Sequence, residues 1–285
     1  MSDNELTWEQ AVQWLREQPE QEALVRACYY DDPLFDAARR FANSDEWIAT
    51  QALLPATPGR ALDLGAGRGI SSYALALAGW DVTALEPDPS ALVGSGAIRD
   101  LSTQAGLPIR VIEEYGEQLP LESSSFDLVY GRQVLHHAND LPQLCREVAR
   151  VLKPGGTFIA TREHVISRKE DLPLFLESHA LHKLYGGENA FLLKEYLEAM
   201  TESGLKVEQQ FGPLDSAINY FPMTREEWRL ASTAPLVRIL SQPVVDRFMR
   251  EDNRVERWLL SQWSQMRSNL SHAPGRLYSF LARKI

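Results

Sequence analysis

RALDLGAGRGISSYALALAG, residues 60–79, decides the fold. Ala61-Leu62-Asp63-Leu64 is an apolar run of strand length, and it enters Gly65-Ala66-Gly67-Arg68-Gly69 directly. Ile70 to Ala78 then carries helical patterning closed by Gly79, so the stretch reads strand, glycine turn, helix. Asp81–Leu85 follows as a second strand ending at Glu86. Asp88 before Pro89 predicts a helix start, with an N-cap and proline at the first helical position. Ile109–Ile112 and Phe126–Tyr130 read as further strands. Asp140 caps a predicted helix with Leu141, Leu144, Cys145, Val148 and Val151 on its apolar face. Lys153-Pro154-Gly155-Gly156 turns that helix into a strand, Thr157–Thr161. This alternation predicts an open, mainly parallel α/β sheet with helices on both faces.

Outward from this core, residues 1–55 read as an N-terminal helical cap, opened by a Thr7–Gln10 capping box. Further helices are expected over Glu20–Tyr29, Leu34–Phe41 and Glu46–Leu54. The core is expected over 56–212, with a late helix at Leu192–Ser203 and a strand at Lys206–Gln210. A helical insertion, 213–275, carries a Thr224–Glu227 capping box and a Trp-rich helix around Trp258 and Trp263. It is expected to bury most of its rings and to contribute to a lid, together with the segment bearing Tyr29 and Tyr30. Residues 276–285 supply the last strand.

Composition narrows the class. The 285 residues hold 29 Lys+Arg against 39 Asp+Glu, a net charge of −10, which disfavours nucleic acid as a partner. Hydrophobic residues at 44% support a globular core rather than disorder. Two cysteines, Cys28 and Cys145, make neither a disulfide framework nor a zinc pattern. The opening MSDNELTWEQ is acidic and polar, unlike a signal peptide, and no apolar run nears the roughly 20 residues of a membrane span. A cytoplasmic location is expected.

Ligands of such sheets bind beyond the carboxyl ends of the strands. Gly65, Gly67 and Gly69 lie at one such end, and Glu86 at the next, 21 positions after Gly65. A carboxylate there can accept hydrogen bonds from two vicinal ribose hydroxyls, which implies a nucleoside-bearing cofactor. Ile70 stands where a dinucleotide loop would carry its third glycine. Asp63, two residues before Gly65, suits an ammonium or sulfonium group better than phosphates.

Here the sequence resembles the class I S-adenosylmethionine-dependent methyltransferases. The first stretch is similar to their motif I, and the likeness extends through VTALEPDPS (82–90), GEQLPLESSSFDLVYGRQVLHH (116–137) and LPQLCREVARVLKPGGTFIAT (141–161). It is weaker over 192–210 and over the closing YSFLARK (278–284). The resemblance implies a Rossmann-like seven-stranded sheet whose last strand is antiparallel, with S-adenosyl-L-methionine as cofactor. It implies that Asp63, Gly65 and Gly67 line the methionine portion, that Glu86 holds the ribose hydroxyls, and that Ala66 and Pro87 also bind the cofactor. Gly116 and Glu117 would meet the adenine edge, and Arg132 would sit near the sulfonium and the acceptor. Tyr115 stands where relatives often carry the Asp that binds the adenine amine.

Methyl transfer from a sulfonium is an in-line displacement, in which the protein aligns the partners and can remove a proton. His137 and His164 are the candidate bases, since both follow predicted strand ends. His136, Arg162, Glu163, Glu188 and Asn189 are candidate acceptor contacts, with Glu163 alternatively orienting a histidine and Asn189 alternatively capping a helix. His179, His182 and Glu188 fix no third ligand by spacing, so no metal is expected. The expected activity is methyl transfer to a small-molecule or saccharide acceptor, at oxygen. A nucleotide-dependent oxidoreductase and a catalytically silent cofactor-binding homologue are the alternatives.

Overall fold

The computed structural model describes residues 6–248 and 254–285. Residues 1–5 of the expected cap and 249–253 of the expected insertion lie outside the described residues. The cap holds α1 (Trp8–Arg16), α2 (Glu22–Ala27), α3 (Leu34–Ala42) and α4 (Asp45–Gln51). The Thr7–Gln10 capping box forms as expected, with reciprocal backbone-to-side-chain bonds of 3.2 and 2.9 Å. The helix expected over Glu20–Tyr29 is shorter, because Pro19–Gln21 wind as a 3₁₀ turn before it.

The core runs β1 (Arg60–Leu64), α5 (Ile70–Leu77), β2 (Asp81–Leu85), α6 (Ser95–Ala105), β3 (Ile109–Ile112), β4 (Phe126–Arg132), α7 (Leu141–Val151) and β5 (Leu152–Ile166). It continues with α8 (Leu172–Ser178), α9 (His182–Tyr185), β6 (Phe191–Leu192), α10 (Leu193–Glu202) and β7 (Leu205–Phe211). α11 (Ala217–Tyr220), α12 (Arg225–Leu240), α13 (Gln242–Phe248) and α14 (Arg254–Leu270) precede β8 (Arg276–Lys284).

Among the described residues the sheet order is β3-β2-β1-β4-β5-β8-β7, with the two-residue β6 paired to β5. β1 is parallel to β2 and β4, and β4 to β5, while β8 is antiparallel to both β5 and β7. This is the expected Rossmann-like sheet with its antiparallel last strand, extended by β6. Successive strand residues face opposite layers. Leu62, Val129 and Phe158 pack under Leu144, Val148 and Met200 of α7 and α10. Ala61, Leu128 and Ile159 pack under Phe41, Trp47 and Leu75 on the other face.

Two local expectations fail for identifiable reasons. The helix after β2 starts at Ser95, not at Pro89. Asp88 instead closes a turn, with Oδ1 accepting from the Ser90 N–H at 2.8 Å and its carbonyl accepting from the Ser95 N–H at 2.7 Å. β5 runs past Thr161 to Ile166, so Arg162, Glu163 and His164 lie within the strand. A register shift between Ala160 and Glu163 interrupts its pairing with β8.

A buried ion pair clasps the cap to the sheet. Arg132, at the end of β4, donates from Nε and Nη2 to the two oxygens of Glu46 in α4, at 2.6 and 3.1 Å. Their side chains are 11% and 0% exposed. The guanidinium also lies 5.6 Å from the ring centroids of both Tyr29 and Phe41. Removing one member of such a pair strands the other charge away from water. Glu46→Ala is expected to lower unfolding free energy by about 3–5 kcal/mol, measured by urea denaturation. A loss below about 1 kcal/mol would show that the pair contributes only as surface pairs do.

Candidate active site

The carboxyl ends of β1, β2, β4 and β5 open into a cavity of about 550 Å³, within the range of roughly 300–1,000 Å³ usual for small-molecule sites. At one end the chain turns tightly from β1 into α5. Gly65, Gly67 and Gly69 have φ of 62°, 53° and 82°, a region that side chains enter at a cost. A Cβ on Gly65 would stand 2.4 Å from Val134 Cγ2, whereas one on Gly67 would meet nothing within 4 Å.

Glu86 fastens this loop to β2. Its Oε2 accepts from the Gly67 N–H at 2.8 Å and its Oε1 from the Asp88 N–H at 3.0 Å. Burial lifts its pKa, opposed by those two hydrogen bonds. Ala66, Pro87, Gly116 and Glu117 share the same wall. Glu117 also accepts from the Asn139 N–H at 3.0 Å, tying that edge to the loop before α7.

Asp63 is placed differently from expectation. It is fully buried and does not line the cavity. Its Oδ2 accepts from the Ser71 and Ser72 hydroxyls at 2.9 and 2.6 Å, while Oδ1 has no partner. It therefore reaches the cavity through Ser71, which does line it. Arg132 lines the wall, but its guanidinium is turned to Glu46 rather than to a ligand. Arg162 is off the cavity altogether. Its Nη1 donates to the carbonyls of Ile218 and Phe221, at 2.8 and 2.9 Å, pinning α11 to β5.

The other end of the cavity gathers histidines. His136 and His137, after β4, and His164, on β5, line it together with His179 and Glu188. The ring centroids of His136 lie 4.3 Å from His137 and 4.6 Å from His164. Glu163 is fully buried beneath them and orients His136, taking its Nδ1–H at 2.7 Å and its backbone N–H at 3.1 Å. Burial opposes charge on His136, yet Glu163 and then Glu188 raise its pKa to about 9. His164 Nδ1 donates to the Gly275 carbonyl at 2.9 Å, which leaves Nε2 as a bare acceptor. Burial, then the charge of His136, pushes His164 down to about 3. His137 Nδ1 donates to the Gly187 carbonyl at 3.0 Å, and its pKa is lowered first by burial.

Glu188 takes a hydrogen bond from the Tyr185 hydroxyl at 2.8 Å. Asn189 neither lines the cavity nor caps a helix, since α10 begins at Leu193 with Leu192 before it. His182 also lies off the cavity wall. The covering differs from expectation too. Among the described residues, none of 213–275 lines the cavity. Trp8, Leu24 and Tyr30 from the cap meet residues 178–188 instead, with Trp8 4.6 Å from the Tyr185 ring and the Leu6 N–H bonded to the Leu184 carbonyl at 3.0 Å. Tyr220, Trp228 and Leu260 of the insertion bury against one another elsewhere. Cys28, Tyr185 and His179 line the cavity without having been expected as acceptor or cofactor contacts, and Glu46, off the wall, was not expected as the partner of Arg132. Only the unusual HALHKLYGGENAF run, 179–191, signalled two of them.

Residues 62–160 match the family model described as a methyltransferase domain. That stretch is similar to methyltransferase domains. The dimethylglycine N-methyltransferase of Parasynechococcus marenigrum is 37% identical over 134 residues, covering 42% of this chain and 47% of that protein. A ubiquinone biosynthesis O-methyltransferase of Xanthomonas campestris pv. campestris is 34% identical over 119 residues, covering 41% and 47%. The chain thus spans slightly under half the length of these curated relatives. Among solved structures, the geranyl diphosphate C-methyltransferase of Streptomyces coelicolor A3(2) aligns with a TM-score of 0.59 at 17% identity, over 94% of this chain and 85% of that one. That likeness concerns the fold.

The sheet core holds one charge at odds with its stability. Burial, against the two serine hydroxyls, lifts Asp63 from 3.8 to about 6. The raised value means that the native state resists ionisation. Its penalty is absent below the unfolded pKa, grows between the two values and is complete above the folded one, reaching about 3 kcal/mol. Asp63→Asn keeps the acceptor oxygen and removes the charge. It is expected to raise the Tm at pH 8 and leave it nearly unchanged at pH 4. An equal shift at both pH values would refute the assignment.

Proposed function

We propose that the protein transfers a methyl group from S-adenosyl-L-methionine to an oxygen of a small-molecule or saccharide acceptor. One observation carries this reading: a single cavity joins the glycine loop and Glu86 to the wall of His136, His137, His164 and Glu188. The loop end fits an adenosyl sulfonium. After taking two backbone N–H groups, the Glu86 carboxylate retains acceptor capacity for both hydroxyls of a ribose. The space beside Gly67 is open to close approach. Arg68 and Arg132 line the cavity, but Arg68 bonds to Asp32 and two backbone carbonyls, and Arg132 to Glu46. Neither guanidinium is left bare to attract phosphates or repel a positive sulfur, which weighs against a dinucleotide.

When bound, the cofactor supplies a methyl carbon activated by its cationic sulfur. Glu86 and Pro87 hold the ribose, and Gly116 and Glu117 border the base. Ser71, backed by Asp63, faces the amino-acid portion beside Gly65 and Ala66. At the far end His164 Nε2, kept uncharged and too weak a base to hold a proton near neutral pH, accepts the hydrogen bond that orients the acceptor hydroxyl, and His137, packed against His136, is the candidate proton acceptor. Glu188 binds a neighbouring hydroxyl. Oxygen acceptors gain most from such proton-accepting groups. Relatives named for dimethylglycine and for ubiquinone biosynthesis support a small acceptor. No described helix is long and apolar enough to cross a membrane. The two free cysteines suit the reducing cytoplasm.

Calorimetry with S-adenosylmethionine and its demethylated product tests the cofactor end. Glu86→Ala is expected to weaken both by about 10–100-fold, the range for hydrogen bonds to a charged group, with the Tm recorded alongside. Absence of binding in the parent protein would sink the reading. Incubation of cell extract with labelled methyl donor tests turnover, and a labelled small product excludes a silent homologue.

A further inference from the structure

We propose that His136, His164 and Glu188 form a binding site for a borderline divalent transition cation such as Zn²⁺. One ligand atom from each lies within 4.8 Å of the others, and all three residues are buried yet line the cavity. The expectation of no metal rested on His179, His182 and Glu188; the fold assembles a different set. His136 comes from the 3₁₀ turn after β4, His164 from the neighbouring β5, and Glu188 from the loop after α9.

Three features distinguish this cluster from an incidental one. First, each imidazole is held by its Nδ1. Glu163 takes His136 Nδ1–H at 2.7 Å, and the Gly275 carbonyl takes His164 Nδ1–H at 2.9 Å. Such outer partners are those that fix metal-binding histidines and leave Nε2 for the ion. Second, the nitrogens around Glu188 approach without bonding it. His136 Nε2 and His137 Nε2 are 3.7 and 3.9 Å from Oε2, and His179 Nδ1 is 3.9 Å from Oε1. These gaps exceed a hydrogen bond and are slightly wider than the roughly 3.3 Å edge of a tetrahedral ion's ligand shell. Third, His179 Nδ1 is buried with no hydrogen-bond partner. The Tyr185 hydroxyl already fixes Glu188 Oε1, which directs Oε2 to the histidines.

Two imidazoles and a carboxylate suit Zn²⁺, Fe²⁺ or Co²⁺, and leave further coordination positions open to the cavity. The site stands on the donor set alone. Its use rests on the methyl-transfer reading: the open positions would take an acceptor bearing adjacent oxygens, with His164 Nε2 holding the ion in place of the acceptor hydroxyl and His137, outside the donor set, left to take the proton.

The test measures metal directly, without cofactor. Protein dialysed against EDTA is titrated with Zn²⁺ in competition with a chromophoric chelator, and with Co²⁺ by visible absorption. One equivalent is expected to bind, with low-symmetry Co²⁺ bands. Glu188→Gln and His164→Ala should each weaken it at least 100-fold, and Glu163→Gln about 10–100-fold. His182→Ala should leave it unchanged. Circular dichroism and S-adenosylmethionine binding, measured on every variant, report folding and the cofactor end separately. Absence of stoichiometric binding in the parent protein overturns the site, as does unchanged affinity in the folded Glu188→Gln and His164→Ala variants. Neither result bears on cofactor binding.

Discussion

Parallel pairing is the constraint on which the molecule depends. Because β1 lies parallel to β2 and β4, and β4 to β5, their carboxyl ends emerge along one edge of the sheet. Every loop that leaves this edge starts from a fixed height. The Gly65–Gly69 turn, Glu86, the His136–His137 segment and His164 become neighbours for that reason alone. Local chemistry then refines the placement. Glu86 bonds the Gly67 N–H across two strands, and Glu163 bonds His136 across two more. Each carboxylate is buried where the backbone supplies donors, so Glu86 and Glu163 are already paired before a ligand arrives, whereas His179 Nδ1 is left without a partner.

The arginines show how function and scaffold divide. Arg68, Arg132 and Arg162 all sit near the strand ends, and all anchor other segments. Arg68 holds the Tyr29–Asp32 bend, Arg132 holds α4, and Arg162 holds α11. The cations thus stabilise the surrounding helices, while the cavity itself presents carboxylates and imidazoles. That division explains how an acidic chain builds a pocket suited to a positively charged ligand.

Much of this was legible in the sequence. Strand-length apolar runs and the glycine turn established the sheet, and the distance from Gly65 to Glu86 identified the second strand end. The strand histidines were legible because their positions follow from the strands. Other features were not. Asp88-Pro89 has helix-start chemistry, but the Asp88 side chain turned back on Ser90 instead. Glu46 reads as an ordinary acid in a helix's first turn, and nothing local marks it as the partner of a residue 86 positions later. The Trp-rich insertion was expected to bury most of its rings and to contribute to a lid, but Trp258 is 60% exposed and none of the described residues 213–275 lines the cavity. Aromatic rings bury wherever they find apolar area, and Trp228 found it against Tyr220 and Leu260. Contacts such as Trp8 with Tyr185 join segments far apart in the chain, which no periodicity records.

The position of β8 has a consequence for biosynthesis. It inserts between β5 and β7, and the carbonyl that steadies His164 belongs to Gly275, just before it. A nascent polypeptide leaving the ribosome can pair β1 through β5 early, but β7 has no neighbour until residues 276–284 emerge. The imidazole wall is therefore completed only once every other strand of the described sheet has been made. A ribosome stalled short of that strand would release a sheet with an unpaired edge and an unanchored His164, a species for chaperones rather than for chemistry.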